Sequence, residues 1–131
     1  MVLLDTHVWV WWMLGQEDLP ANQRAQLTAL AGKHPPLLSD VSLWEVQMMY
    51  SRKRLPLQIS FEQWLHGATR PDVVQLIRIT PAIAIKVGEL PNNFHGDPAD
   101  RIIVASAIVH DVPLFTHDRK IQRSKVVPLW I

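Results

Sequence analysis

Four short apolar runs, at 1–4, 36–39, 73–79 and 113–116, alternate with stretches of helical patterning, and few folds accommodate that order. Apolar runs this short, bounded by turn residues, suit the buried strands of a parallel sheet. Each strand–helix–strand unit needs a right-handed crossover, so helices cover both faces of the sheet. The expected fold class is α/β: a three-layer α/β/α sandwich on a mostly parallel sheet of four to five strands. With 131 residues the chain holds one such domain, 1–131.

The helices follow from their punctuation. Residues 6–14 read as a helix closed by Gly15, and 20–31 as a second with Gly32 as its stop. A third is expected over about 41–53. Ser60-Phe61-Glu62-Gln63 has capping-box spacing and opens a fourth, to about 69. Residues 81–90 make a fifth. The best-defined helix spans 98–110, with Asp97 as N-cap and Pro98 at the first helical position, where a missing N–H costs nothing. Its apolar residues run nearly all round, which predicts burial between layers. A short helical turn at 118–123 and a fifth strand at 126–131 complete the chain.

Composition excludes several functions. With no cysteine there is no disulfide, thiolate nucleophile, Fe–S cluster or cysteine zinc site, and the chain suits a reducing cytoplasm. Thirteen Lys+Arg against twelve Asp+Glu leave a formal charge of +1, so bulk attraction cannot hold a nucleic acid. Local clusters could: Arg52, Lys53 and Arg54, and Arg119, Lys120, Arg123 and Lys125, although each also reads as a solvated helix end. The longest near-uncharged apolar stretch, 6–14, is shorter than the ~20 residues a bilayer span needs, so no membrane association is expected. No basic leader precedes Asp5, and the chain is expected to begin at Met1, already inside a structural element. It contains no internal repeat, Gly-x-x-x-x-Gly-Lys loop, Gly-x-Gly-x-x-Gly, His-Glu-x-x-His or Gly-x-Ser-x-Gly.

The acids are the informative residues. Asp5 follows the first strand, Glu45 sits one turn into the helix after the second, Asp118 follows the fourth, and Asp97 and Asp100 open the 98–110 helix. Ligands of open parallel sheets bind beyond the carboxyl ends of the strands, where Asp5, Glu45 and Asp118 fall; Asp100 joins them if its helix starts at the same edge. Two carboxylates ~4 Å apart repel by about 4 kcal/mol at an effective dielectric near 20. A cluster therefore calls for a hard cation, Mg²⁺ or Mn²⁺, and suits attack on a phosphodiester by a metal-activated water. Each acid also has a local reading: Asp97 as a helix cap, Asp100 as a dipole partner, Ser42-Leu43-Trp44-Glu45 as a capping box, Asp5 and Asp118 as turn residues or caps.

Four segments, in order, carry a resemblance. They are Leu3-Leu4-Asp5-Thr6-His7-Val8, Ser42-Leu43-Trp44-Glu45-Val46, Asp97-Pro98-Ala99-Asp100-Arg101-Ile102-Ile103-Val104-Ala105 and Leu114-Phe115-Thr116-His117-Asp118. Together the chain resembles the PIN-domain ribonucleases, specifically VapC-type toxins of toxin–antitoxin modules. The resemblance implies a metal-dependent endoribonuclease in which Asp5 and Asp100 bind the metal while Glu45 and Asp118 complete the acidic set. Thr116 resembles the hydroxyl that accompanies the last acid; Asp97, Thr6 and Arg101 are expected to support the site. Ala99 stands where the family usually has an aromatic residue, and Gly96 where a charged one is common. The resemblance also implies an RNA substrate, a cognate antitoxin and a homodimer.

Several residues allow other readings. His7, His95 and His117 lie near proposed acids and suit hydrogen bonds to phosphate or carboxylate better than ligation. Trp9 and Trp12 are i, i+3 neighbours suited to the core, while Trp11 points elsewhere and is the expected partner-facing tryptophan. Arg101 reads as the partner of a neighbouring acid or of RNA phosphate. A non-catalytic receiver-like module also has this length and topology, but it would want an Asp ending the third strand, where Ile79-Thr80 stand. A DNA-directed nuclease is a third reading.

Overall fold

The computed structural model describes residues 1–94 and 96–131; His95, named above among the histidines, lies outside them. Four strands form one parallel sheet: β1 (Leu3–Leu4), β2 (Leu37–Ser39), β3 (Gln75–Ile77) and β4 (Leu114–Phe115), in the order β3-β2-β1-β4. The helices are α1 (Thr6–Leu14), α2 (Ala21–Ala31), α3 (Val41–Ser51), α4 (Phe61–Ala68), α5 (Pro81–Glu89), α6 (Pro98–His110) and α7 (Arg119–Ser124). The expected three-layer α/β/α sandwich is what the chain forms.

Alternation along the strands builds two cores. Val2, Leu4, Leu38 and Phe115 face one side, where they meet Val8 and Trp9 of α1, Leu27 of α2, Val46 of α3 and Trp64 of α4. Leu3, Leu37, Ile77 and Leu114 face the other side and meet Ile103, Val104 and Ala107 of α6 with Ile121 of α7. Successive strand side chains point to opposite faces, so β1, β2 and β4 each serve both cores, while edge strand β3 buries only Ile77 and leaves Leu76 exposed. Register is tight: Leu3 pairs with Leu37 and Leu114, and Leu4 with Leu38 and Phe115.

The punctuation works as expected in most places. Gly15 closes α1 at φ 66°, where its N–H reaches the Trp11 carbonyl, a conformation glycine adopts without strain. Ser60 and Gln63 form the capping box of α4. Asp97 caps α6, with Pro98 in its first turn. Gly32 differs: it ends α2 in right-handed conformation, φ −65°, so its lack of a side chain is not what stops that helix. Val109 of α6 is exposed, so the apolar belt of that helix is not completely covered.

The fifth strand is a correction. Residues 126–131 run beside β4 but make only a single bridge, Leu114 to Leu129. Pro128 interrupts this segment and has no N–H to donate; the Leu114 N–H donates to its carbonyl, and Trp130 N–H to the Leu114 carbonyl. Two-sided pairing stops there.

Of the first-helix tryptophans, Trp9 is fully buried and its indole N–H donates to the Ala68 carbonyl at 3.1 Å. Trp12 is partly buried against the first core and reaches Thr28 Oγ1 at 3.2 Å. Trp11 is also half-buried, and the most open tryptophan is Trp44 on α3, at 56% exposure. No helix among the described residues is long and apolar enough to cross a membrane.

Trp9→Ala removes a fully buried ring and orphans a carbonyl on α4. It is expected to cost about 3–5 kcal/mol, read as a lower denaturant midpoint at unchanged slope. A loss below about 1 kcal/mol would contradict the assigned core.

Candidate active site

In this strand order, β2 and β3 lie on one side of β1 and β4 on the other. The direction of winding reverses between β1 and β4, and ligands of open α/β sheets bind at such a switch point. Asp5 leaves the carboxyl end of β1, and Thr116 the end of β4. The Asp5 N–H still donates to the Phe115 carbonyl at 2.9 Å, so the ladder holds the two ends in register.

Asp5 is 5% exposed and held at both oxygens. Oδ1 accepts from the Thr6 N–H at 2.8 Å, and Oδ2 accepts from Thr116 Oγ1 at 2.6 Å. Thr116 Oγ1 in turn accepts from the Asp118 N–H at 3.0 Å. One threonine thereby ties the acid of β1 to the segment after β4. A carboxylate oxygen keeps lone-pair capacity beyond one such bond, so Asp5 can still meet a ligand.

Glu45 reaches the site by a second tether. Its Oε1 accepts from Thr6 Oγ1, whose hydroxyl also lies 2.7 Å from Ser42 Oγ. Thr6 has one hydroxyl proton and gives it to the carboxylate, so Ser42 donates to Thr6. The Ser42–Glu45 capping box is therefore not formed. Asp40 precedes α3 without a side-chain cap bond, and Ser42, fully buried, serves the acids instead. Sequence patterning did not separate these uses, because both need the same Ser-x-x-Glu spacing.

Asp97, Asp100 and Asp118 line a shared hollow of about 420 Å³, together with Arg119, Lys120 and Arg123. Asp97 Oδ1 accepts from the Asp100 N–H, and Asp118 Oδ1 from the Ile121 N–H. Asp5, Asp97 and Asp118 are thus all helix caps and members of the acidic edge. The local cap readings hold for all three.

Burial sets the electrostatics. Desolvation raises the Asp5 carboxyl above its ordinary range, with Asp118 adding to the rise; the Thr116 hydrogen bond, His7 and the Thr6 N–H oppose it. Desolvation also raises Glu45, against the Thr6 hydrogen bond, and Asp5, Asp100 and Asp97 raise it further. Each acid feels the others. The donor set is all oxygen and negatively charged, the chemistry of a hard divalent cation. Among the described residues no three acidic or histidine side chains converge closely enough to enclose an ion as they stand. The charge and chemistry of the donor set fit such an ion.

The supporting residues divide. Thr6 and Thr116 hold acids directly. Arg101 donates to the carbonyls of Phe94, at 3.2 Å, and Val87, at 3.5 Å, and its guanidinium lies 5.8 Å from the Phe94 ring centre. It braces the segment leading into α6, a role its position beside Asp100 did not reveal. His117 Nε2 lies 2.7 Å from Gln23 Oε1, and its ring meets Trp11 edge-on at 5.5 Å. Trp11, half-buried, thereby packs against His117, next to Asp118.

The sequence matches the family described as PIN domain over residues 2–126, and the chain belongs to it. It is 34% identical over 121 residues to Ribonuclease VapC22 of Mycobacterium tuberculosis, covering 92% of this chain and 89% of that protein. A chain in the crystal structure of VapBC2 from Rickettsia felis, bound to a DNA fragment from their promoter, superposes with TM-score 0.73 at 21% identity. That match covers 99% of this chain and 98% of the other. A chain of a toxin-antitoxin complex from Klebsiella pneumoniae gives TM-score 0.59 at 23% identity, over 92% and 88%.

The raised carboxyls make metal-free stability depend on pH. A folded-state pKa above the unfolded value means that stability falls as pH rises from the ordinary carboxylate range through the folded pKa. In EDTA, Glu45→Gln keeps the Thr6 contact and removes the charge. It is expected to raise Tm by a few degrees at pH 7.5 and to leave it unchanged near pH 4. A lower Tm than the parent at pH 7.5 would contradict the electrostatic reading.

Proposed function

We propose that this chain is a metal-dependent endoribonuclease, the toxin of a toxin–antitoxin module, that hydrolyses RNA phosphodiester bonds at Asp5, Glu45, Asp100 and Asp118. The observation that carries the reading is the paired tether of a buried and a half-buried acid at the switch point: Thr116 to Asp5 and Thr6 to Glu45. The relationship to Ribonuclease VapC22 supports RNA as substrate. The likeness to chains from VapBC2 and from a toxin-antitoxin complex is in keeping with an antitoxin partner. A homodimer and a cytoplasmic setting complete the proposal.

Asp5 and Asp100 would hold the metal, Mg²⁺ or Mn²⁺, with Glu45 and Asp118 completing the acidic set. When bound, a divalent cation supplies charge neutralisation, polarisation of a phosphoryl oxygen and acidification of water. The protein's own groups do the rest. Thr116 and the Thr6 N–H fix the Asp5 carboxylate. Thr6, backed by Ser42, aims Glu45, whose raised carboxyl suits it to accept a proton from the attacking water. The water oxygen bonds to phosphorus, one bridging P–O bond breaks, and the leaving oxygen takes up a proton. Arg119, Lys120 and Arg123 of α7 offset the negative edge and attract the RNA backbone. Single-stranded or looped RNA suits the site, because its bases are unstacked and reachable.

Asp5→Asn and Asp100→Asn, each at unchanged fold by circular dichroism, are expected to lower the cleavage rate of single-stranded RNA at least ~100-fold, about 3 kcal/mol of barrier. EDTA should do the same to the parent, and Mn²⁺ should restore it. Undiminished cleavage in EDTA would overturn the metal mechanism, and faster cutting of a matched DNA strand would overturn the RNA assignment.

A further inference from the structure

Beyond the acids, a second hollow of about 520 Å³ opens between the segment before α6 and the segment after α7. Pro91, Asn93 and Phe94 line one side, and Ser124 and Val126 the other. Its size lies within the roughly 300–1,000 Å³ of small-molecule sites. It shares Lys120 and Arg123 with the hollow that holds Asp97, Asp100 and Asp118. A strand laid across the acids therefore meets these two exposed cations and then this groove.

The chemistry changes between the two hollows. The acidic one carries three carboxylates, whereas the described lining of the groove carries none. Pro91, Phe94 and Val126 provide apolar surface, and the exposed Asn93 side chain both donates and accepts hydrogen bonds. Phe94 is 5% exposed and has Arg101 over its ring, so it contributes floor rather than a free stacking face. Cations at the mouth, apolar walls and one amide match a nucleotide: phosphate at the mouth, base within, an edge toward Asn93. Unstacked bases are held by such contacts in single-stranded RNA.

We infer that the groove between Asn93 and Arg123 is a nucleotide subsite, which binds the residue of single-stranded RNA one phosphate removed from the scissile phosphate, with Lys120 and Arg123 on that intervening phosphate. This rests on the ribonuclease reading for its choice of RNA. The test does not depend on cleavage, so the two can fail separately.

A fluorescein-labelled RNA hexanucleotide is titrated with the full chain in EDTA at several salt concentrations, with anisotropy as the readout. Lys120→Gln/Arg123→Gln is expected to weaken binding at least ~10-fold at low salt. Leaving that phosphate without its cations should also flatten the slope of log K against log salt by about 0.7, the value per neutralised phosphate for single strands. Asn93→Asp adds one charge to an exposed residue at the far side of the groove. It should weaken binding several-fold at unchanged thermal midpoint, while the same change at Asn22 on α2 should not. Parent-like affinity of both groove variants, an equal loss from Asn22→Asp, or no binding by the parent would overturn the subsite. An active parent whose cleavage needs Asp5 would leave the ribonuclease reading intact even then.

Discussion

Everything at the functional edge depends on keeping a buried carboxylate, Asp5, in place beside other acids without a covalent constraint. Two charges ~4 Å apart repel by about 4 kcal/mol at an effective dielectric of 20, a large fraction of the roughly 5–15 kcal/mol that holds a domain together. The chain answers with short hydrogen-bonded tethers from neighbouring elements. The β1–β4 ladder brings Thr116 to Asp5, and α1 brings Thr6 to Glu45 with Ser42 behind it. Asp5, Asp97 and Asp118 each also accept a backbone N–H at the start of a helix. Helix N-termini carry partial positive charge, so the same placement that clusters the acids partly compensates them.

The remaining negative charge is met from α7. Arg119, Lys120 and Arg123 border the acidic hollow, so a chain with a formal charge of +1 still presents adjoining patches of opposite sign. Under the proposed function, that layout would put a cation at the acids and the flanking phosphodiester backbone at the cations. Near-neutral net charge excludes attraction by the whole molecule and leaves this local pattern as the source of affinity.

The sheet was legible because short apolar runs bounded by turn residues alternate with helical pattern; the run ending at Leu4 could also have begun a helix, and its terminal position before a helical pattern favoured a strand. The acids were legible by position, each following a strand or opening a helix. Other features depend on three-dimensional competition. Residues 126–131 look like a strand, but Pro128 cannot donate, and pairing shrinks to one bridge. Ser42 and Glu45 have cap spacing, yet Thr6 of another helix lies closer to both purposes. Arg101 sits beside Asp100 in sequence, while its guanidinium turns to the carbonyls of Val87 and Phe94. Trp11 on α1 packs against His117, 106 positions later. The Thr6 and His117 contacts are long-range, and local pattern does not encode them; Pro128, a local feature, was legible as a break in the strand.

The central claim is that the tethered acids form one divalent-cation site. Mn²⁺ titration of the chain, followed by tryptophan fluorescence and thermal midpoint, tests it most directly. The account predicts a saturable change in fluorescence and a rise in Tm that follows ln(1 + [Mn²⁺]/Kd), both lost in Asp5→Asn. A midpoint that does not move with Mn²⁺, or that moves equally in parent and Asp5→Asn, would contradict it.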